Sequence, residues 1–205
     1  MTRARILNLR RTMFRDVVAD RGLMTWRELM LAVAAGVASA AIGQLMGRTV
    51  HTIWPIPASG SIAVALPRAV ILLIVLLRVR HFGALTAAGV AELSAKLAIC
   101  SGALMPWSVV VPLLANFAGD VLWAGLRQIP GRRMRLMLTG CGLCTARAMI
   151  ALLFWGLAGM PLAKPLPEHL LAMLSCIVVV NAVLGAIAGL LVSGLMKPAQ
   201  PGDKE

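Results

Sequence analysis

Residues 170–196, LLAMLSCIVVVNAVLGAIAGLLVSGLM, contain no charged side chain. A helix that crosses the hydrocarbon core of a bilayer needs roughly 20 mainly apolar residues. This stretch therefore predicts a membrane-spanning helix, and five other apolar stretches precede it in the chain. The six predicted spans are about 29–47, 61–77, 83–105, 107–126, 136–160 and 170–196.

The composition also indicates a membrane protein. Hydrophobic residues make up 60% of the chain and charged residues 14%, which leaves too few polar side chains to cover a water-facing surface. Lipid offers no partners for backbone N–H and C=O groups, and the alternating ten-residue strands of a barrel are absent from the sequence. We therefore predict an all-α membrane protein, a bundle of six transmembrane helices within residues 28–196.

The position of the basic residues predicts the orientation. Of the 20 Lys and Arg residues, fifteen lie in the N-terminal segment, in the loops after the second and fourth spans, and in the C-terminal tail. The remaining loops contain only Arg48 and Lys164. Because Lys and Arg accumulate in cytoplasmic loops, we expect both termini on the cytoplasmic side. The net charge of +12 then reflects topology rather than binding of nucleic acid.

Two segments flank the bundle. Residues 1–27 form a basic cytoplasmic segment, and residues 197–205 form a cytoplasmic tail. In the N-terminal segment Ile6, Leu9, Met13 and Val17 share one helical face, with arginines elsewhere. This pattern predicts an amphipathic helix held against anionic lipid headgroups.

Polar side chains within the spans are the strongest pointer to function. A charge at the bilayer centre costs about 2.5–3.5 kcal/mol on insertion scales, so such groups must face the protein interior or a wet cavity. Four polar residues lie on four different predicted helices: Glu92, Asn116, Arg147 and Asn181. Each lies roughly ten to twelve residues into its span, which is a depth of about 15–18 Å at 1.5 Å per residue. We therefore predict a small-molecule site at this depth. Its predicted residues are Glu92, Lys96, Asn116, Asp120, Arg147 and Asn181.

Spacing predicts some pairs among these groups. Glu92 and Lys96 are four residues apart on one helix and can neutralise each other. Asp120 is expected to pair with Arg147 on the neighbouring helix and to orient it. Arg68 follows Pro67, so its expected role is local, as donor to the carbonyl that the proline leaves free. In an alternative that stays open, these polar groups only hold the helices together and bind no ligand.

The sequence gives little support for a metal site or a catalytic site. Cys141 and Cys144 form a CxxC, but they lie in an apolar helix, and the three histidines lie at predicted loops or span ends, so we expect no metal site. No nucleophile motif, phosphate-binding glycine loop or HExxH pair is present in the sequence. We expect neither enzymatic activity nor a cofactor.

Small residues recur in the first span. Ala32, Gly36 and Ala40 are spaced by four and share one helical face. Such stripes let helix backbones approach closely in a membrane. The spacing predicts a partner helix, either in this chain or in another subunit.

Several motifs accompany the six-span layout. They are a Pro-rich loop after the first span (Pro55, Pro57), RHFGA at 80–84 before Glu92, LMLTG at 136–140, and Gly185, Ala186 and Gly189 in the last span. On these features residues 29–196 resemble the substrate-binding membrane subunits, or S components, of energy-coupling factor (ECF) transporters. Among them the chain is most similar to the YkoE-type thiamin-precursor permease subunits.

The resemblance implies a role in vitamin uptake through an ABC transporter in the bacterial cytoplasmic (inner) membrane. Partners would be a membrane coupling (T) subunit and two ATPase subunits. The family's Ala-x-x-x-Ala contact with the coupling subunit is matched by Ala34 and Ala38. The ligand would be a small vitamin-like compound, such as thiamin or its pyrimidine precursor. It would enter from outside beneath the first outer loop, here about residues 48–60, and be held by polar groups of the later helices.

A membrane scaffold or assembly protein, similar to the small rod-shape subunits, is the alternative function. It would also have six helices and a basic cytoplasmic face, but with a filled interior and no ligand. An enclosed cavity of about 300 Å³ or more, reached from the outer side, would favour the transport function over the scaffold.

Overall fold

The computed structural model describes residues 24–53, 59–79, 81–99, 106–157 and 168–196, which form six α-helices and no strand. The helices are α1 (Trp26–Ile53), α2 (Ser59–Arg78), α3 (Ala84–Ile99), α4 (Pro106–Gly125), α5 (Arg132–Leu157) and α6 (Glu168–Leu195). The predicted all-α fold is confirmed. The amphipathic helix predicted within residues 1–27 falls almost wholly outside the described residues, as does the tail 197–205.

Within the described part of the chain, four helices are long and apolar enough to cross a membrane, as in a multi-pass membrane protein. These stretches are Trp26–Gly47, Gly60–Arg78, Arg132–Phe154 and Leu174–Leu195. The 16 residues of α3 rise about 24 Å, less than a hydrocarbon core of about 30 Å. The predicted span 83–105 also includes residues 100–105, which lie outside the described part of the chain. Helix α4 has 20 residues and includes the polar Asn116 and Asp120.

The six helices contact one another in a closed ring. Helix α1 packs against α2 and α3, α3 against α4, α4 against α5, α5 against α6, and α6 against α2. Helix α2 is one of the ring helices and also contacts α3 and α5. Its side chains form much of the core, with Leu72, Leu73 and Val75 almost fully buried.

Glycines allow the closest helix contacts. A Cβ atom at Gly36 of α1 would collide with the backbone of Ala88 in α3, and Cβ atoms at Gly140 and Gly185 would each collide with the backbone of the other helix. Lipid provides no hydrophobic force between helices, so close backbone packing of this kind stabilises the bundle. The small-residue stripe of α1, to which Gly36 belongs, therefore has its partner within the same chain, in α3.

Local capping sets where α1 begins. The Thr25 backbone N–H donates to a Glu28 carboxylate oxygen at 2.9 Å, and the Glu28 backbone N–H donates to the Thr25 hydroxyl at 3.4 Å, a capping box. The same Glu28 carboxylate lies 3.6 Å from His81 Nε2, in the turn before α3. Gly83 in that turn has φ +94°, a left-handed conformation that favours glycine. The contact of Glu28 with His81 thus connects the start of α1 with the turn before α3.

Candidate functional site

Glu92 of α3 lies at the centre of a buried group of charges. Its side chain is fully buried, and both carboxylate oxygens accept hydrogen bonds from Arg147 Nη2 of α5 at 2.6 Å. Lys96 Nζ, one turn along α3, lies 2.9 Å from Glu92 Oε1, and Arg68 Nη2 of α2 lies 3.4 Å from the same oxygen. We call these four side chains, Glu92, Arg68, Lys96 and Arg147, the charge cluster. The predicted pair of Glu92 and Lys96 is confirmed.

Arg68 connects a fourth helix, α1, to the charge cluster. Its Nη2 also donates to the Ser39 carbonyl of α1 at 3.0 Å. A Cβ atom at Gly43, one turn further along α1, would collide with the guanidinium, so the glycine leaves room for it. The local role predicted for Arg68 is therefore wrong. Its side chain is long enough to reach α1 and the Glu92 carboxylate, where it gains a charged partner as well as a carbonyl.

The charge cluster carries more positive than negative groups. Three cationic side chains share one carboxylate, so two positive charges are in excess when all four groups are ionised. Arg68 Nε and Arg147 Nη1 are buried and lack a hydrogen-bond partner within the described residues. Buried charges and donors without partners cost free energy in a low-dielectric interior. The arrangement is therefore suited to an additional anionic or acceptor group.

Asp120 of α4 lies apart from this cluster and caps α3. Its carboxylate accepts from the Leu85 backbone N–H at 3.2 Å, and from the Thr86 backbone N–H and hydroxyl at 2.9 and 2.7 Å. These are first-turn groups of α3, about 10 Å along the helix from Glu92 at 1.5 Å per residue. The predicted pair of Asp120 with Arg147 is wrong, because the free N–H groups at a helix start bind the Asp120 carboxylate while Arg147 binds Glu92.

Asn116 is fully buried between α4 and α3 and is separate from the charge cluster. A Cβ atom added at Gly89 would lie 3.0 Å from Asn116 Nδ2, so the amide packs against that glycine. Neither its Nδ2 nor its Oδ1 has a hydrogen-bond partner within the described part of the chain. Gly89 is three residues before Glu92, which puts Asn116 about one helical turn from the cluster.

Asn181 of α6 shares a small cavity with the charge cluster. Its Nδ2 donates to the Ile177 carbonyl of its own helix at 2.8 Å and lies 3.5 Å from the Ser61 hydroxyl. The cavity measures about 30 Å³ and is lined by Asn181, Ser61, Arg68 and Arg147 together with apolar side chains of α2 and α5. This volume has room for about two water molecules.

A larger cleft lies on the other side of Arg68, between α1, α2 and α3. It measures about 240 Å³. Its lining residues are Gly43, Gln44, Gly47, Gly60, Ser61, Val64, Arg68 and Lys96. Two cations of the charge cluster therefore line a volume that is open to the exterior of the bundle. The residues that follow α1 and α3, 54–58 and 100–105, are outside the described part.

The volumes of the interior cavity and of the cleft can be compared with the expected enclosed cavity of about 300 Å³. In the described residues the interior cavity beside Arg147 and Asn181 is ten times smaller, and the cleft of about 240 Å³ is open. Of the six predicted site residues, the structure brings Glu92, Lys96 and Arg147 into direct contact and places Asn181 beside Arg147. Asn116 and Asp120 lie elsewhere on the α3–α4 interface.

The residues expected to contact a coupling subunit lie on the outside of α1. Ala34 is exposed and Ala38 is half-buried, in contrast to the buried Ala32 and Ala35. Val37 beside them is also exposed. Contact of Ala34 and Ala38 with another subunit stays a prediction.

The sequence argument missed Arg68 as a member of the cluster. The cost of a charge inside the bilayer applies to Arg68 as much as to Lys96 and Arg147. The adjacent Pro67 suggested a local carbonyl as its partner, although an arginine side chain can reach a neighbouring helix. The cation inside an otherwise apolar span was the signal that could have found it.

Comparison with known proteins adds no further assignment: no family model, curated protein or solved structure matches this chain.

Proposed function

We propose that this chain is the substrate-binding membrane subunit of an uptake transporter, with the 240 Å³ cleft as the entry to its binding site. One observation carries the proposal. Arg68 and Lys96, two cations that share the buried Glu92 carboxylate, line a cleft open to the exterior of the bundle. Charged groups at such depth are costly, and binding of a ligand is a common reason for their presence.

The size and lining of the cleft suit a small compound. Binding pockets for drug-sized ligands have volumes of about 300–1,000 Å³, so about 240 Å³ corresponds to a smaller molecule or to one part of a larger one. Gly43, Gly47 and Gly60 line the cleft without side chains, which gives a ligand access to the polar groups. A vitamin-like compound is of suitable size.

The remaining parts of the proposal follow from the resemblance to ECF S components. In this proposal all six helices cross the bacterial inner membrane, both termini are cytoplasmic, and the cleft opens outward. A coupling subunit would contact α1 at the exposed face with Ala34 and Ala38, and two ATPase subunits would supply energy. The chain itself would carry out no chemical reaction.

The scaffold function also has an observation in its favour. The interior cavity between α2, α5 and α6 measures only about 30 Å³, so the centre of the bundle is nearly filled. A scaffold needs no more than this, and the charge cluster would then serve only to hold α2, α3 and α5 together. The two functions differ in whether a small molecule occupies the cleft.

Filling the cleft tests the proposal. A Cβ atom at Gly47 would meet no other atom within 4 Å, so Gly47→Leu adds a side chain beside the cleft without a backbone collision. Gly125→Leu, at the end of α4, is the matched control because Gly125 is equally unobstructed. The measurement is mass spectrometry of small molecules retained by the protein purified in lipid nanodiscs.

We expect the wild type and Gly125→Leu to retain the same small molecule and Gly47→Leu to lose it. If no protein retains a small molecule, and cells producing Gly47→Leu take up nutrients as the wild type does, the transport function is wrong and the scaffold is favoured. Retention by all three proteins would place the ligand outside the cleft.

A further inference from the structure

We infer that the cleft binds the carboxylate or phosphate group of its ligand between Arg68 and Lys96; this inference rests on the proposed function and names its substrate class. The first step is charge balance. Three cations share the Glu92 carboxylate, which leaves two positive charges in excess in a part of the chain surrounded by apolar helices. An anionic ligand would remove this excess, whereas a cationic ligand would increase it.

The second step is the position of the unused donors. Arg68 is only 8% exposed, yet it lines the cleft, and its Nε has no hydrogen-bond partner within the described residues. Lys96 lines the same cleft and uses its ammonium group for Glu92, which leaves donors for a second acceptor. A guanidinium and an ammonium group that converge on one volume bind carboxylate or phosphate oxygens through charge-assisted hydrogen bonds.

The third step concerns neighbouring negative groups. Glu92 is fully buried and has its oxygens on Arg147, Lys96 and Arg68. Asp120 is bound to the first turn of α3, about 10 Å away along that helix. Among the described residues that line the cleft none is acidic. An anion in the cleft would therefore meet two cations and no exposed carboxylate.

Matched pairs of probes test the inference directly. Thermal unfolding of the protein in nanodiscs of zwitterionic lipid is measured with nicotinate against nicotinamide, benzoate against benzamide, and inorganic phosphate against an equal ionic strength of chloride. Each pair differs mainly in the anionic group. We expect the anionic member of at least one pair to raise the unfolding temperature and its counterpart to have a smaller effect.

Variants test whether the stabilisation by the anionic probes arises from binding in the cleft. Lys96→Gln leaves Glu92 paired with Arg147 and Arg68, so the fold is expected to persist, and the apparent affinity for the anionic probe should fall about tenfold or more. Lys96→Arg should retain the response. Arg78→Gln, with the same charge change in the last turn of α2 and away from the cleft, is the control and should behave as the wild type.

The outcomes separate this inference from the proposed function. If no anionic member is preferred in any pair, or if the preference persists in Lys96→Gln, the inference is wrong. If a neutral or cationic compound binds instead and is lost in Gly47→Leu, the uptake function stands without an anionic substrate. A response to anionic phospholipid alone, lost in Lys96→Gln, would mean a lipid headgroup site and would contradict a soluble substrate.

Discussion

At Glu92 one carboxylate is shared by three cationic side chains that come from α2, α3 and α5. Each of the three helices therefore depends on the same residue for its charge partner. Removing one member of a buried ion pair typically costs about 3–5 kcal/mol, because the remaining charges are left uncompensated. In this cluster the remaining charges would all be positive.

We predict that Glu92→Gln lowers the free energy of unfolding by about 3–5 kcal/mol, because it removes the carboxylate that the three cations of the cluster share. Denaturation in detergent with increasing SDS is the measurement. Glu28→Gln, at the more exposed cap of α1, is the control and should lose less. Unchanged stability of Glu92→Gln would contradict the role of Glu92 as the shared partner.

Asp120 gives a second prediction at the residue scale. Asp120→Ala removes the cap of α3 and should cost about 0.5–2 kcal/mol of stability, the usual range for loss of a helix cap. Asp120→Asn retains an acceptor oxygen and should lose less. Neither variant should change ligand retention, because Asp120 does not contact Arg147; loss of the ligand with unchanged stability would contradict this assignment.

The helices themselves were largely predictable from the sequence. The predicted span 29–47 corresponds to α1 (Trp26–Ile53), and 107–126 corresponds to α4 (Pro106–Gly125), because apolar runs and their Pro and Gly boundaries are local features. Which helices meet was not predictable. Helix α3 packs against α4 in the ring, yet Arg147 reaches Glu92 from α5, so this ion pair could not be assigned from spacing alone.

Close packing of α5 and α6 leads to a prediction at the scale of elements. Gly140→Ala should reduce stability by about 1–3 kcal/mol, since its Cβ would collide with the backbone at Gly185 and force the helices apart. The same change at Gly125, where no atom lies within 4 Å, is the matched control. Equal stability of the two variants, measured by SDS denaturation, would contradict the backbone contact.

For the whole molecule the distribution of charge predicts the topology. Fifteen Lys and Arg residues on one side against two on the other favour cytoplasmic N- and C-termini. Reporter fusions after residue 205 should therefore be active as green fluorescent protein and inactive as alkaline phosphatase. Fusions after residue 103, between α3 and α4, should show the reverse. Phosphatase activity at both positions, or at neither, would contradict six spans with this orientation.

Arg68 lines both the cleft and the interior cavity, as does Ser61. The hydrogen bond from Arg68 to the Ser39 carbonyl and the attraction of Glu92 hold the guanidinium in its observed position. A change in the position of the Arg68 guanidinium would therefore alter the walls of both volumes at once.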